Sequence, residues 1–198
     1  VLFVFEEAVL RGVVHISDYN KDIVLQKIQD DILPFERKLR QLILLHGFTN
    51  DNMLEYFEYK LNRNDSQKNV EYYELRIKNY KKRKNEIDSL GPFQLFEFND
   101  LMNFASSSFS KVVHKVGSYI FNNNKKSGAD VLRELRNIAM HGKNPVSINR
   151  ETSIYSMESL QLLTWSLKVL RKEYSEVSKK VRQNPDFLRS IELENRKR

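Results

Sequence analysis

Two hydrophobic patterns divide the chain near residue 20. Residues 1–5 and 9–16 are rich in β-branched and aromatic side chains and flank a short acidic stretch, which predicts two short strands joined by a tight connection. From Asp22 onwards, apolar residues recur in steps of three and four, the spacing that puts them on one face of a helix. The chain is therefore predicted to be all-α, a helical bundle preceded by a short hairpin-like segment.

About five to seven helices follow from that spacing and from the Gly, Pro and Asn residues that interrupt it. The predicted helices cover residues 22–46, 53–61, 70–87, 99–104 and 127–141, with a long last helix from 152 or 153 to about 182 and a short piece over 186–193. Pro34 either kinks the first helix or splits it in two. Residues 112–121 form a further apolar stretch, and residues 122–126 are predicted to form an exposed loop.

Composition removes several classes of protein. The 198 residues include no Cys, which excludes disulfides and thiolate chemistry, and with only four His a structural zinc site is not expected. No apolar run approaches the roughly 20 residues that cross a bilayer. No signal peptide is visible, so we expect a cytoplasmic protein without a membrane partner.

The positive charge is concentrated in one stretch. The formal net charge is +7, and residues 60–84 contain nine Lys or Arg against three Asp or Glu. Tyr72, Tyr73 and Tyr80 alternate with these cations, and cations next to stacking rings suit single-stranded RNA. A solvated helix face explains the same pattern. The candidate RNA contacts in this stretch are Lys81, Lys82, Arg83 and Lys84.

The segment with the most chemical potential is the predicted helix that ends near residue 141. At about 100° per residue, its apolar side chains share one face, and the opposite face carries Arg133, Arg136, Asn137 and His141. Arg offers a permanent planar charge to a phosphate, and His can move a proton near neutral pH. Asn137 lies one turn before His141 and could orient its ring. An ordinary amphipathic helix, with His141 beside its C-terminus, gives the same pattern.

The run from Arg136 to His141 resembles the Arg-x(4–6)-His signature of the HEPN superfamily, and its subform with Asn directly after the Arg. Members of that superfamily are all-α bundles, and many are metal-independent endoribonucleases that work as dimers. The resemblance covers about residues 22–182, of which residues 35–43 are similar to the first helix of some bacterial members. Relatives that transfer nucleotides carry His-x-Tyr, whereas Lys143 stands at that Tyr position here.

The resemblance implies RNA cleavage by attack of a 2′-hydroxyl on the adjacent phosphorus, without metal or cofactor. His141 would be the general base or the general acid, and Arg136 would hold the non-bridging oxygens. Two facing copies of the motif would supply both acid and base, so a homodimer is expected. Glu36 is a candidate accessory acid from another helix, and Arg133 and Lys143 are candidate phosphate contacts. Phage defence or an RNA-stress response would suit such a toxic activity.

Residues 12–18 resemble the closing strand and helix start of a CBS module, the cystathionine-β-synthase type. The resemblance implies that Asp18 contacts the ribose of an adenine nucleotide, although His15 stands where Thr or Ser is usual. Residues 1–20 would then be the C-terminal remnant of a CBS-like or other α/β module, residues 21–198 the HEPN-like domain, and the chain a fragment of a longer polypeptide. A generic hairpin that leads into a helix is the alternative.

Three functions remain open at this point. The first is a dimeric, metal-independent endoribonuclease. The second is a non-catalytic module that uses the same bundle for dimerisation or RNA binding. The third is a signalling fragment whose helices relay a nucleotide signal from the N-terminal side; deleting residues 1–20 would then leave a domain that folds but is no longer controlled.

Overall fold

The computed structural model describes residues 2–6, 9–63, 66–89, 93–94, 96–110, 118–121, 124–148 and 155–186. The strands are β1 Leu2–Glu6, β2 Val9–Val14, β3 Ser118–Phe121 and β4 Asn124–Ser127. The helices are α1 Asp22–Leu45, α2 Asn50–Leu61, α3 Gln67–Lys82, α4 Lys84–Ser89, α5 Phe98–Ser106, α6 Gly128–Met140 and α7 Met157–Gln183, with a 3₁₀ helix over Ile16–Asn20. The predicted all-α class with a short N-terminal hairpin is confirmed.

The chain divides into two compact units. Unit 1 comprises Val1–Phe35 and Val116–Ser175, and unit 2 comprises Glu36–Lys115 and Glu176–Arg198. The long helices α1 and α7 each contribute residues to both units. The predicted boundary near residue 20, between a CBS-like remnant and a HEPN-like domain, stays a prediction.

In unit 1, the two predicted N-terminal strands pair antiparallel. The register runs from Leu2 opposite Val14 to Glu6 opposite Val9, and it shifts by one residue after the pair of Val4 and Gly12. The extra residue in β2 makes this a bulged hairpin. The hairpin leads through the 3₁₀ helix directly into α1.

Helix α1 continues through Pro34, so the predicted alternative of two separate helices is wrong. Proline removes one backbone donor and crowds the carbonyl one turn earlier, which weakens a helix locally. Ile32 and Phe35 flank the proline and are fully buried. Burying these two side chains offsets the loss and keeps the helix continuous.

Three predicted segments differ from the structure. The single helix expected over 70–87 is interrupted at Arg83, which separates α3 from α4. The loop expected over 122–126 is largely strand, since Ser118–Phe121 pairs antiparallel with Asn124–Ser127. The last helix begins at Met157, and residues 149–154, which include the start expected for it, lie outside the described residues, as does most of the segment expected over 186–193.

Unit 2 is held together by an aromatic core on α2, α5 and the segment before α5. Tyr56 packs edge-on against Phe104 with ring centroids 5.4 Å apart, and Phe57 lies 6.1 Å from Phe96. All four side chains are buried. Aromatic pairs in such geometry add to the free energy gained from burial itself.

A buried carboxylate lies beside this core, in the first turn of α5. Asp100 is only 3% exposed, and the Tyr72 hydroxyl donates to its Oδ1 at 2.5 Å. Arg76 Nε lies 3.3 Å from Oδ2, and the Arg76 guanidinium also pairs with Glu97. Burial raises the pKa of Asp100, an effect that outweighs the opposing influence of Tyr72 and Arg76.

The raised pKa of Asp100 predicts a pH-dependent stability. The folded state holds the proton more tightly than the unfolded chain, whose carboxyl has the ordinary pKa of 3.8. The resulting stabilisation is complete below pH 3.8 and is lost as the pH rises through the higher folded pKa. Asp100→Asn does not titrate. Urea unfolding should therefore show that the free energy of unfolding of the variant, taken relative to that of wild type, is higher at pH 7 than at pH 4.

The matched control is Glu74→Gln, which removes an exposed carboxylate from α3. Its difference from wild type should change much less over the same pH range. If wild type instead became more stable relative to Asp100→Asn as the pH rises from 4 to 7, the assigned direction of the Asp100 pKa shift would be contradicted.

Candidate functional site at the end of α6

Local signals define both ends of α6. The Ser127 side chain accepts a hydrogen bond from the backbone N–H of Asp130 at 3.1 Å, which caps the start of the helix. Gly142 has φ +60° just past the helix end, and the backbone N–H of Lys143 donates to the Ile138 carbonyl at 3.1 Å. This is a Schellman cap, which glycine favours. It fixes the backbone at His141, the C-cap residue.

The two faces of α6 are those that the helical spacing predicts. The buried face consists of Val131, Leu132, Leu135 and Ala139. On the polar face, Arg136 and Asn137 are half-buried and His141 is exposed. The Nε atom of Arg136 is shielded from solvent. A shielded guanidinium acts more strongly on a nearby charge than an exposed one, because less water screens it.

The imidazole of His141 is open to solvent. Within the described part of the chain, no hydrogen bond holds the ring, so the orientation by Asn137 that the sequence suggested is not among the contacts seen. The exposed ring is therefore open to an incoming group. Met140, beside His141, is an exposed apolar side chain.

Side chains from the N-terminal segment hold the backbone on both sides of His141. Gln29 on α1 donates from Nε2 to the Ala139 carbonyl at 2.7 Å. Asn20 donates from Nδ2 to the Val146 carbonyl and accepts from the Val146 N–H, both at 2.8 Å. Val146 is fully buried, so no water replaces these bonds. The segment between Ala139 and Val146 is thereby anchored at both ends.

The remaining residues predicted for this site differ in their surroundings. Arg133 pairs with Asp130 at 2.9 Å, and Lys143 is exposed just past the Schellman cap. Glu36 belongs to unit 2, is 5% exposed and pairs with Arg40 one turn further along α1. That ion pair accounts for a buried carboxylate on α1. An accessory catalytic role for Glu36 stays a prediction.

In unit 2, the four predicted RNA contacts at the end of α3 are all exposed. Three of them pair with carboxylates: Lys81 with Glu58 at 3.5 Å, Arg83 with Glu86 at 2.7 Å, and Lys84 with Asp51 at 3.2 Å. The fourth, Lys82, is exposed on α3. Exposed pairs of this kind contribute little to stability because water screens them, so a phosphate can replace the carboxylate at little cost.

The tyrosines of α3 are not an exposed stacking surface beside these cations. Tyr80 is 2% exposed and donates from its hydroxyl to Asp51 at 2.9 Å. Tyr72 and Tyr73 are half-buried, and their ring centroids lie 5.2 Å apart. The expectation that all three rings stack openly on RNA is wrong for Tyr80, because its ring faces the interior of unit 2.

Asp18 caps the 3₁₀ helix at the N-terminal end of the chain. Its Oδ2 accepts from the backbone N–H of His15 at 2.7 Å, and its Oδ1 pairs with Lys21 at 2.7 Å. The hydrogen bond from Lys21 and the one from His15 lower the pKa of this carboxyl. The carboxylate thus has a local structural role, and contact with a ribose stays a prediction.

Two further observations limit what the described residues could hold. No three His, Asp or Glu side chains among them lie close enough together to bind a metal ion. No helix among them has both the length and the apolar character needed to cross a bilayer. No family model matches the chain, and no curated protein or solved structure is significantly similar to it, so the site is interpreted from its own residues.

Sequence reasoning missed Asn20 and Gln29, the residues that anchor the segment around His141. Their partners lie 126 and 110 residues away along the chain. Local periodicity carries no signal for such contacts. The sequence shows only that Asn20, at the end of the 3₁₀ helix, and Gln29, on α1, are polar.

Asn20→Ala tests the anchoring. The substitution removes two hydrogen bonds and leaves the N–H and carbonyl of buried Val146 unpaired, so we expect a loss of about 2 kcal/mol in the free energy of unfolding. Urea denaturation followed by circular dichroism measures it. Asn144→Ala, at an exposed position of the same loop, is the control and should change stability by less than about 0.5 kcal/mol. Equal effects of the two substitutions would contradict the anchoring role.

Proposed function

We propose that the chain is a metal-independent endoribonuclease whose reaction centre is formed by Arg136 and His141. The observation that supports this most directly is the placement of these two side chains on the polar face of α6, at a helix end that Gln29 and Asn20 anchor. A rigid backbone under an accessible proton carrier is what positioned acid–base catalysis requires. Cleavage of foreign or damaged RNA in phage defence or stress would suit this chemistry.

In the proposed reaction, a 2′-hydroxyl oxygen of RNA attacks the adjacent phosphorus, and the bond from that phosphorus to the 5′-oxygen breaks. One His141 imidazole takes the proton from the 2′-hydroxyl, and an acid returns a proton to the leaving 5′-oxygen. The products are a 2′,3′-cyclic phosphate and a 5′-hydroxyl. No net proton is consumed. Arg136 stabilises the negative charge that grows on the non-bridging oxygens.

The acid and the base of this reaction are best supplied by two copies of the chain. Each α6 carries one histidine on its polar face, His141. Large apolar side chains of unit 1 are exposed at Met140, Ile148 and Met157, all shortly before or after His141 in sequence. A second copy that covers these side chains would bring two His141 residues to one cleft. The proposed enzyme is therefore a homodimer.

The N-terminal segment is the proposed route of control. Residues 15–29 include both Asn20 and Gln29, so a displacement of this segment would act on the backbone next to His141. An adenine nucleotide bound on the N-terminal side of this segment would have this route available. The alternative is a bundle that binds RNA or dimerises without cutting. A cleavage experiment distinguishes it from the nuclease.

That experiment is cleavage of a mixed single-stranded RNA in excess EDTA. Wild type should cut and leave 2′,3′-cyclic phosphate ends. His141→Ala should lose about 10²–10⁴-fold in rate as the proton carrier is removed. Arg136→Ala should lose about 10²–10³-fold as charge stabilisation is removed.

Arg171→Ala is the matched control, since it removes one exposed arginine from α7 outside the motif. It should retain nearly full activity. Circular dichroism confirms that each variant is folded. Equal cleavage by all four proteins would place the activity elsewhere, and no cleavage by any of them would favour the binding module.

The dimer makes a separate prediction about mixtures of wild type and His141→Ala. If one cleft needs a histidine from each copy, mixed dimers are inactive. Activity at constant total protein should then follow the square of the wild-type fraction. The two proteins are unfolded together and refolded so that the copies exchange, and the initial rate is measured across the mixing series. A linear dependence would show that each copy works alone.

A further inference from the structure

Unit 2 contains a cavity whose residues are distant in sequence from Arg136 and His141. This cavity of about 230 Å³ lies between α3 and the segment that leads into α5; we call it the α3–α5 pocket. Its polar lining comes from Arg76, Asn79, Arg83 and Glu97. The buried side chains of Tyr80 and Phe96 also border it, with ring centroids 5.8 Å apart and planes inclined by 21°.

One face of α3 and the residue just past its end supply most of the polar lining of the pocket. Residues 76, 79, 80 and 83 follow the three- and four-residue spacing of one helix face, so α3 presents them together. The helix ends at Lys82, and Arg83 pairs side-on with Glu86 through Nε at 2.8 Å and Nη2 at 2.7 Å. This pairing fixes the guanidinium plane and leaves its Nη1 edge directed away from Glu86.

The chemistry of the lining selects the kind of ligand. A simple anion would meet the carboxylates of Glu97 and Asp100, and a simple cation would meet Arg76 and Arg83. A neutral planar group that both donates and accepts hydrogen bonds is repelled by neither the carboxylates nor the arginines. A volume below the roughly 300–1,000 Å³ of pockets for drug-sized ligands suits a single nucleobase with its ribose.

The surroundings of the pocket indicate where the base comes from. Lys78, Lys81, Lys82 and Lys84 are exposed on the same helix and its continuation. Cations in this arrangement attract a phosphate backbone, while an unpaired base can be hydrogen-bonded along its edge. Asn79 is exposed, and its amide makes no hydrogen bond to any other residue that the structure describes.

We propose that the α3–α5 pocket binds one unpaired guanine base of single-stranded RNA, an inference that rests on the RNA-directed function above. Guanine presents the acceptors O6 and N7 to the donors of Arg83 and Asn79. Its N1–H and N2 amino group face the Glu97 carboxylate, which also pairs with Arg76. Adenine lacks the O6 acceptor and the N1–H, so it matches this lining less well.

The test uses fluorescently labelled 2′-O-methyl oligouridines with a central guanosine, a central adenosine or no purine. These strands have no free 2′-hydroxyl, so binding is measured without cleavage. Wild type should bind the guanosine strand roughly five- to a hundredfold more tightly than the others, as expected for a well-placed base contact. Fluorescence anisotropy gives the dissociation constants.

Each pocket variant has a matched control. Arg83→Gln and Glu97→Gln should abolish the guanosine preference. Lys78→Gln and Glu74→Gln make the same charge changes on exposed α3 residues that do not line the pocket, and they should shift all strands equally while the preference persists. An unchanged preference in both pocket variants would overturn the proposal, as would a wild type that binds all strands alike or none.

Failure of this proposal and failure of the nuclease proposal give different results. Cleavage of ordinary RNA that depends on His141, without a guanosine preference in binding, removes the pocket and keeps the enzyme. A guanosine preference that depends on Arg83 and Glu97, without cleavage, keeps the pocket and removes the enzyme.

Discussion

Two hydrogen bonds between the Asn20 side chain and the backbone of Val146 connect the N-terminal segment to the loop after α6, across 126 residues of sequence. An asparagine amide can pair with both polar groups of one peptide residue, as a neighbouring strand would, and Val146 has no water to replace it. The Schellman cap at Gly142 fixes the other side of the same turn. The position of His141 therefore depends on a long-range contact and a local one, and neither alone would define it.

Unit 2 uses charge in two different ways. In unit 2, Asp100 is buried beside Tyr72 and Arg76, and its raised pKa shows that burial outweighs the partners that favour its ionised form. At the end of α3, by contrast, exposed cations pair with exposed carboxylates in contacts that are individually weak. The buried group constrains how α3 and α5 pack, because an unpaired carboxylate there would be costly. The exposed pairs leave the cations available for exchange with another anion.

Much of this architecture follows from local sequence, and the exceptions have physical causes. Ser127 and Gly142 mark the ends of α6 directly, and its apolar spacing gives the buried face. The position of Arg136 and His141 on the opposite, polar face could therefore be predicted without a structure. The hairpin of β3 and β4 was missed because β4 contains exposed polar residues, so its pairing with β3 rather than its own pattern makes it a strand. The break at Arg83 was missed because no Gly or Pro marks it. Asn20 and Gln29 could not be assigned, since their partners are distant in sequence.

The sequence identifies side chains that could act, but environment decides what each can contribute. Arg136 is half-buried with a shielded Nε, so water screens its charge less than that of an exposed arginine, which suits a transition state in which negative charge grows on phosphate. Lys81 and Lys84 are exposed and already paired, so they suit attraction of a phosphate backbone, an interaction that salt weakens. In the proposed enzyme the first kind of cation governs the rate of the chemical step and the second governs affinity. Most of the excess positive charge in the sequence belongs to the exposed cations near the end of α3. Arg136 is distinguished from them only by its helix face and its burial.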